Sequence, residues 1–197
     1  MSFQFKDGKV FLERKLSELD IFLLDFIEIL QERTIPYVIV SGYVSILFGR
    51  ARTTEDIDIF VGDVDKETFT AFVDNIERRD FWIINTTSTS EAFDMLNTEA
   101  IRIARQQTAI PNIELKRATD EDRDQLTDNL VVLLNGKPLH VSRLEVQIPY
   151  KFYLESDKDI EDAVYLFELF KEHIDKAFLM RWARTLHVES KVMQYVG

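Results

Sequence analysis

The chain has 197 residues, 46% of them apolar and 30% charged, with 24 Lys and Arg against 35 Asp and Glu for a net charge of −11. That composition is globular, excludes a disordered or fibrous chain, and disfavours adhesion to nucleic acid or anionic lipid over the whole surface. Cysteine is absent and the three histidines, His140, His173 and His187, are widely spaced; disulfides, thiolate metal sites and a cysteine nucleophile are excluded, and any metal falls to oxygen donors.

Apolar residues from Phe11 to Arg33 recur at steps of three and four (Leu12, Leu16, Leu19, Leu23, Phe26, Ile27, Leu30), which predicts one long amphipathic helix. Tyr37 to Val40 reads as a buried strand, Tyr43 to Phe48 as a short helix stopped by Gly49, and Ile57 to Val61 as a second strand. A helix over 65–78 and a strand over 81–84 follow. Within 90–107 the pattern is mixed, helical at Ala92 to Leu96 and strand-like at Ile101 to Ile103. Ile110 to Ala118 alternates as a strand does. The acidic run 120–128 fails the calcium-loop test, with Gln125 where glycine is required and Val131 where glutamate is required, and reads as a solvated loop or helix start. Asn135-Gly136 between two apolar runs predicts a hairpin, and everything beyond Leu144 reads as helix, with Asp157 or Asp159 capping the stripe from Ile160 to Phe170. Residues 171–197 carry five Lys and Arg against three Asp and Glu, most simply a solvated helix face.

No apolar run approaches the roughly 18 residues of a membrane span, and Met1 to Asp7 lack the basic-then-apolar pattern of an export signal. The expected location is the cytoplasm, without membrane association. The organisation expected is a core over residues 1–143 and a helical portion over 144–197 packed on it.

The chemistry-bearing segment runs from Val40-Ser41-Gly42 to Asp56-Ile57-Asp58. Two residues apart on a strand, Asp56 and Asp58 point to the same face, about 7 Å apart along the chain at about 3.3 Å per residue. Such a pair repels itself unless both groups face water or a cation lies between them, and hard oxygens on a rigid strand suit Mg²⁺. Ser41-Gly42, where a strand runs into a helix, offers backbone N–H groups and close approach to an anion. Arg50, Arg52, Thr53 and Thr54 precede the acids, and arginine orients phosphate through paired hydrogen bonds. Singly, each piece has a bland explanation; their order is what points to a phosphate grip beside a metal grip.

A glycine at a strand-to-helix turn, 13 intervening residues and Asp-x-Asp on the next strand resemble the signature of the nucleotidyltransferase superfamily, the polymerase-beta-like fold. The run Gly49-Arg50-x-Arg52-Thr53-Thr54-x-Asp56-Ile57-Asp58 is similar to the small prokaryotic nucleotidyltransferases of abortive-infection and minimal types found in toxin–antitoxin pairs. The resemblance spans about residues 34–170, its specific part about 40–61. It implies an α+β fold, a mixed sheet flanked by helices with a helical C-terminal portion, and an enzyme that joins the α-phosphate of a nucleoside triphosphate, ATP being the expected one, to a hydroxyl and releases pyrophosphate. It further implies two Mg²⁺ ions on Asp56, Asp58 and a third carboxylate, for which Glu114 in Ile113-Glu114-Leu115 has the right form. Ser41, Gly42, Arg50, Arg52 and Thr54 would meet the nucleotide, and Lys151 would reach the triphosphate. Lys158-Asp159-Ile160-Glu161-Asp162 matches the family's Lys-Asp-x-x-Asp segment, its acids read as helix-start residues. The chain departs from the pattern in placing serine before the cradle glycine and Glu114 where aspartate is usual. Three acceptors stay open: a tRNA end on the basic tail, a partner protein, or a small hydroxyl compound. Two rival readings are a catalytically impaired nucleotide-binding or regulatory protein of the same fold and a purely structural helical partner; self-association as a homodimer is compatible with the apolar faces of the end helices.

Overall fold

The computed structural model describes residues 2–196, and among them the fold is α+β around a mixed sheet. The described chain forms two compact units: residues up to Val40 together with Thr54–Val141, and Ser41–Thr53 together with the residues from Ser142 onward. The sequence reading keeps 41–53 inside its first 143 residues; in the structure this short insertion clusters with the later helices.

The first unit is built on nine strands: β1 (Ser2–Lys6), β2 (Lys9–Glu13), β3 (Tyr37–Ile39), β4 (Asp56–Val61), β5 (Phe81–Ile83), β6 (Ile101–Arg105), β7 (Asn112–Arg117), β8 (Leu130–Leu134) and β9 (Lys137–Val141). Their order across the sheet is β1-β2-β8-β9-β3-β4-β7-β6-β5. β4 runs antiparallel to β3 and parallel to β7, and β6 runs antiparallel to both β7 and β5.

The start of the chain corrects the expected helix from Phe11. Asp7 and Gly8, with φ of 51° and 72°, form the tight turn of a hairpin joining β1 to β2, the geometry that two-residue hairpin loops require. Helix α1 (Glu18–Glu32) begins only at Ser17, whose hydroxyl accepts from the Asp20 N–H at 3.2 Å while the Asp20 carboxylate accepts from the Ser17 N–H at 2.7 Å. That reciprocal cap fixes the start. The second hairpin forms at Asn135-Gly136 as expected.

α1, α3 (Lys66–Arg78) and α4 (Thr89–Met95) supply the rest of this unit's core. Rings from three elements meet at one centre: Phe81 of β5 lies 5.6 Å from Phe22 and 5.8 Å from Phe26, and Phe72 packs edge-on to Phe26 at 6.1 Å. Each such ring contributes roughly 1.5–3 kcal/mol by leaving water. Ile57, Ile59 and Val61 of β4 are buried, and the register puts Phe81 on their side of the sheet. Asp56, Asp58 and Phe60, half-buried, point to the opposite side.

The second unit holds α2 (Gly42–Leu47), α5 (Leu144–Leu154), α6 (Asp157–Phe170), α7 (Lys176–Thr185) and α8 (Glu189–Val196). Phe48 packs edge-on against Phe170 at 4.6 Å, and the Tyr165 hydroxyl donates to the Phe48 carbonyl at 2.9 Å, which fastens the end of α2 to α6. α6 is capped by Ser156 and not by Asp157 or Asp159: the Ser156 hydroxyl accepts from the Asp159 N–H. No helix is long and apolar enough to cross a membrane among the described residues.

Candidate functional site

In the first unit, the alternation Asp-Ile-Asp-Ile-Phe-Val of β4 puts both acids on one face while the apolar residues enter the core. Parallel pairing sets Asp56 beside Asn112 and Asp58 beside Glu114 on β7. Neighbours in register share a face, so the three carboxylates named from the sequence lie on the same side of adjacent strands. The Thr54 hydroxyl donates to the Asp56 carboxylate and to its backbone carbonyl, both at 3.1 Å, and so steadies that acid. Glu114 is committed elsewhere: Arg102 on β6, its register partner, holds it at 2.6 Å, and Glu114 is only 14% exposed against 55% for Arg102. Among the described residues, no group of three or more His, Asp or Glu side chains is gathered to hold a metal ion. A Mg²⁺ ion ordinarily takes only one or two carboxylates, with water and phosphate completing its shell. The donor set at Asp56 and Asp58 fits that demand.

In the second unit, the cradle residues and the basic residues occupy one local arrangement. Ser41 has φ 63° and ψ −135°, a conformation that glycine adopts readily and serine does not. Its N–H donates to the Gln147 side-chain oxygen at 3.1 Å. Gly42 begins α2, and a Cβ placed there would lie 3.2 Å from the Arg52 guanidinium. The bare glycine therefore gives room to an arginine.

Arg50, Arg52 and Lys151 converge on Asp162 of α6. The Arg50 Nε lies 2.5 Å from one carboxylate oxygen; Lys151 Nζ donates to the other at 2.8 Å, and Arg52 also pairs with that oxygen. Lys151 lies 3.5 Å from Asp159 as well, and Arg50 pairs with the exposed Glu161 at 2.5 Å. Both Lys151 and Asp162 have fully buried side chains. Burial pushes the Asp162 carboxyl up, but the hydrogen bond and charge of Lys151, followed by those of Arg52, outweigh it and hold the group below the ordinary carboxylate range. Burial also raises the nearby Tyr165 hydroxyl, against the charge of Arg50.

Asp162, expected as a helix-start residue, is instead, with Lys151, the buried centre of a charge network; Lys151, expected at the triphosphate, has its ammonium held by Asp162. The Lys-Asp-x-x-Asp segment was the signal available for it. Gln147 and Arg102, which restrain the Ser41 N–H and Glu114, had no sequence signal, since each stands in an ordinary helix or strand pattern.

No protein-family model matches the sequence, and no curated protein matches it. Solved structures do. An antigenic nucleotidyltransferase-like protein from Paracoccidioides brasiliensis superposes with a TM-score of 0.56 at 16% identity, covering 92% of this chain and 94% of that one. The chain has the nucleotidyltransferase fold. The antibiotic-resistance factor ANT(2'')-Ia in solution superposes at 0.54 with 13% identity, covering 90% of this chain and 97% of that one. The crystal structure of ANT(2'')-Ia in complex with adenylyl-2''-tobramycin gives 0.55 and 14%, with coverage of 88% and 99%. The nucleotidyltransferase fold that the resemblance implied is thus the observed one.

Proposed function

We propose that this protein is a Mg²⁺-dependent nucleotidyltransferase that moves a nucleoside monophosphate from a nucleoside triphosphate, ATP by expectation, to a hydroxyl acceptor. The observation that carries the reading is the register of β4 against β7, which aligns Asp56, Asp58 and Glu114 on one face in a sheet of nucleotidyltransferase fold. Asp56 and Asp58 would hold the metal, with Thr54 fixing the orientation of Asp56. Bound there, Mg²⁺ supplies neutralisation of phosphate charge and a lowered pKa for the attacking hydroxyl. Ser41, Gly42, Arg50 and Arg52 are assigned to the triphosphate. Lys151, fully buried, serves by keeping Asp162 ionised and the two arginines in place.

For the acceptor, a small hydroxyl-bearing compound is favoured over a nucleic acid. The likeness to a protein solved with adenylyl-2''-tobramycin supports it, and the net charge of −11 opposes a long phosphate track. Transfer to a tRNA end or to a partner protein, including one in a toxin–antitoxin pair, stays within the same chemistry. The test is incubation with each α-labelled nucleoside triphosphate and Mg²⁺ across tobramycin, tRNA and the protein itself. Label transfer with pyrophosphate release that is lost in Asp58→Asn supports the enzyme; full transfer by Asp58→Asn defeats it.

A second reading, a nucleotide-binding or regulatory protein of this fold without turnover, is favoured by one specific set of contacts. The Ser41 N–H, the arginines and Glu114 all have partners within the protein. Nucleotide binding without either reaction product would select it.

A further inference from the structure

Glu114 and Arg102 form the pair from which more can be drawn. They are register partners on β7 and β6, and Asp58 is the register partner of Glu114 on β4, so the row Asp58, Glu114, Arg102 crosses three adjacent strands on one face. The Glu114 carboxylate, mostly buried, lies 2.6 Å from an Arg102 guanidinium that is more than half exposed. A guanidinium is always charged and holds carboxylate and phosphate oxygens equally well. An anchored acid paired with a solvent-facing arginine is an exchangeable contact: the acid stays while the arginine is free to take another anion.

We propose that Arg102 is a positioning residue that acts as a built-in counter-cation for Glu114, withholding this carboxylate from the metal until phosphate draws the guanidinium away. The inference rests on the metal role proposed for Asp56 and Asp58. Metal binding by the bare protein then depends on Asp56 and Asp58, and the arginine's positive charge opposes the incoming cation. Once Arg102 takes a phosphate oxygen, Glu114 joins the other two acids. The arrangement couples the third carboxylate to the presence of the nucleotide, and no bond is made or broken in the exchange.

The probe is Mn²⁺ alone, followed by electron paramagnetic resonance of the full-length protein without nucleotide. Arg102→Gln is expected to tighten Mn²⁺ binding about tenfold, the size of one part-screened charge interaction. Arg102→Lys should stay within about twofold of the parent, because it restores the charge. Glu114→Gln alone leaves the arginine's charge unopposed and should weaken Mn²⁺ binding, whereas Arg102→Gln combined with Glu114→Gln removes the neutral pair whole and should return affinity to within about twofold of the parent. Arg102 is exposed enough that its replacement leaves the fold intact, which circular dichroism verifies. An unchanged affinity in Arg102→Gln, or a double variant that binds Mn²⁺ several-fold more weakly than the parent, overturns the inference while leaving the Asp56 and Asp58 assignment standing. Mn²⁺ binding that survives Asp58→Asn unaltered overturns that assignment, and the role of Arg102 with it.

Discussion

Replacing Asp162 with asparagine keeps the shape of the α6 residue and removes the charge on which Arg50, Arg52 and Lys151 converge. At 2.8 Å and an effective dielectric of about 20, the Lys151 contact alone amounts to about 6 kcal/mol of Coulomb attraction, much of it offset by the desolvation of two fully buried groups. What decides the outcome is the state left behind. Among the described residues Lys151 keeps one carboxylate, Asp159 at 3.5 Å, while Arg50 and Arg52, 20% and 14% exposed, retain partial access to water. Stranding a buried cation in this way costs about 3–5 kcal/mol, and for a chain of this length that lowers Tm by about 6–20 °C. Urea unfolding at pH 7.5 measures it directly. Adding Lys151→Met to Asp162→Asn should recover at least about half of the loss, because the stranded ammonium is gone and a side chain of similar length fills its place. A loss under about 1 kcal/mol for Asp162→Asn, or no recovery in the double variant, refutes the claim that this pair is the buried centre of the second unit.

Ser41→Gly should stabilise the protein by about 1 kcal/mol, because serine is held at φ 63° where glycine is unstrained; a lower urea midpoint contradicts this. In Gly42→Ala the new Cβ meets the Arg52 guanidinium at 3.2 Å, so the gain of about 1 kcal/mol that alanine ordinarily brings to a helix should be largely withheld, read by the same unfolding curve. Burial lowers the pKa of His140, which contacts Asn129 at 2.9 Å and packs edge-on to Tyr37. The unfolded chain therefore takes up the proton first as pH falls, so this contribution is present above about pH 6.5 and is lost below it; His140→Gln should flatten the stability profile between pH 7.5 and 5.5. The Asp162 pKa is lowered, so its contribution is present above the ordinary carboxylate value and disappears on further acidification, which an acid titration followed by circular dichroism resolves from the histidine. Asp56→Asn and Asp58→Asn should each abolish nucleotidyl transfer, with circular dichroism verifying that the variants assayed are folded.

Much of the sheet is legible in the sequence for a plain reason: where a strand has one buried face, alternation records it, and β4 and β7 read off as Asp-Ile-Asp-Ile and Asn-Ile-Glu-Leu. That same alternation is what puts the acids on one side. The opening hairpin was obscured because Leu12 and Leu16 happen to continue the three-and-four spacing of α1 across the break at Ser17, even though Asp7-Gly8 is a turn sequence in its own right. Long-range electrostatics leave no local trace. Arg50 and Arg52 are 112 and 110 residues from Asp162 in the chain, and a pair of arginines next to a threonine pair looks the same whether it waits for phosphate or is already neutralised by an aspartate. Likewise, nothing in Ile101-Arg102-Ile103 reveals that its arginine is held by Glu114. The strain at Ser41 is visible in the sequence only as serine standing where the related pattern has glycine.

In the function proposed, nucleotide chemistry turns on a divalent cation held by Asp56 and Asp58. Crystals grown with Mn²⁺ and a non-hydrolysable nucleoside triphosphate analogue test it through the anomalous scattering of manganese. The account predicts a peak within coordination distance of both carboxylates, with phosphate oxygens on its other side. A bound nucleotide whose manganese lies away from Asp56 and Asp58 would contradict it.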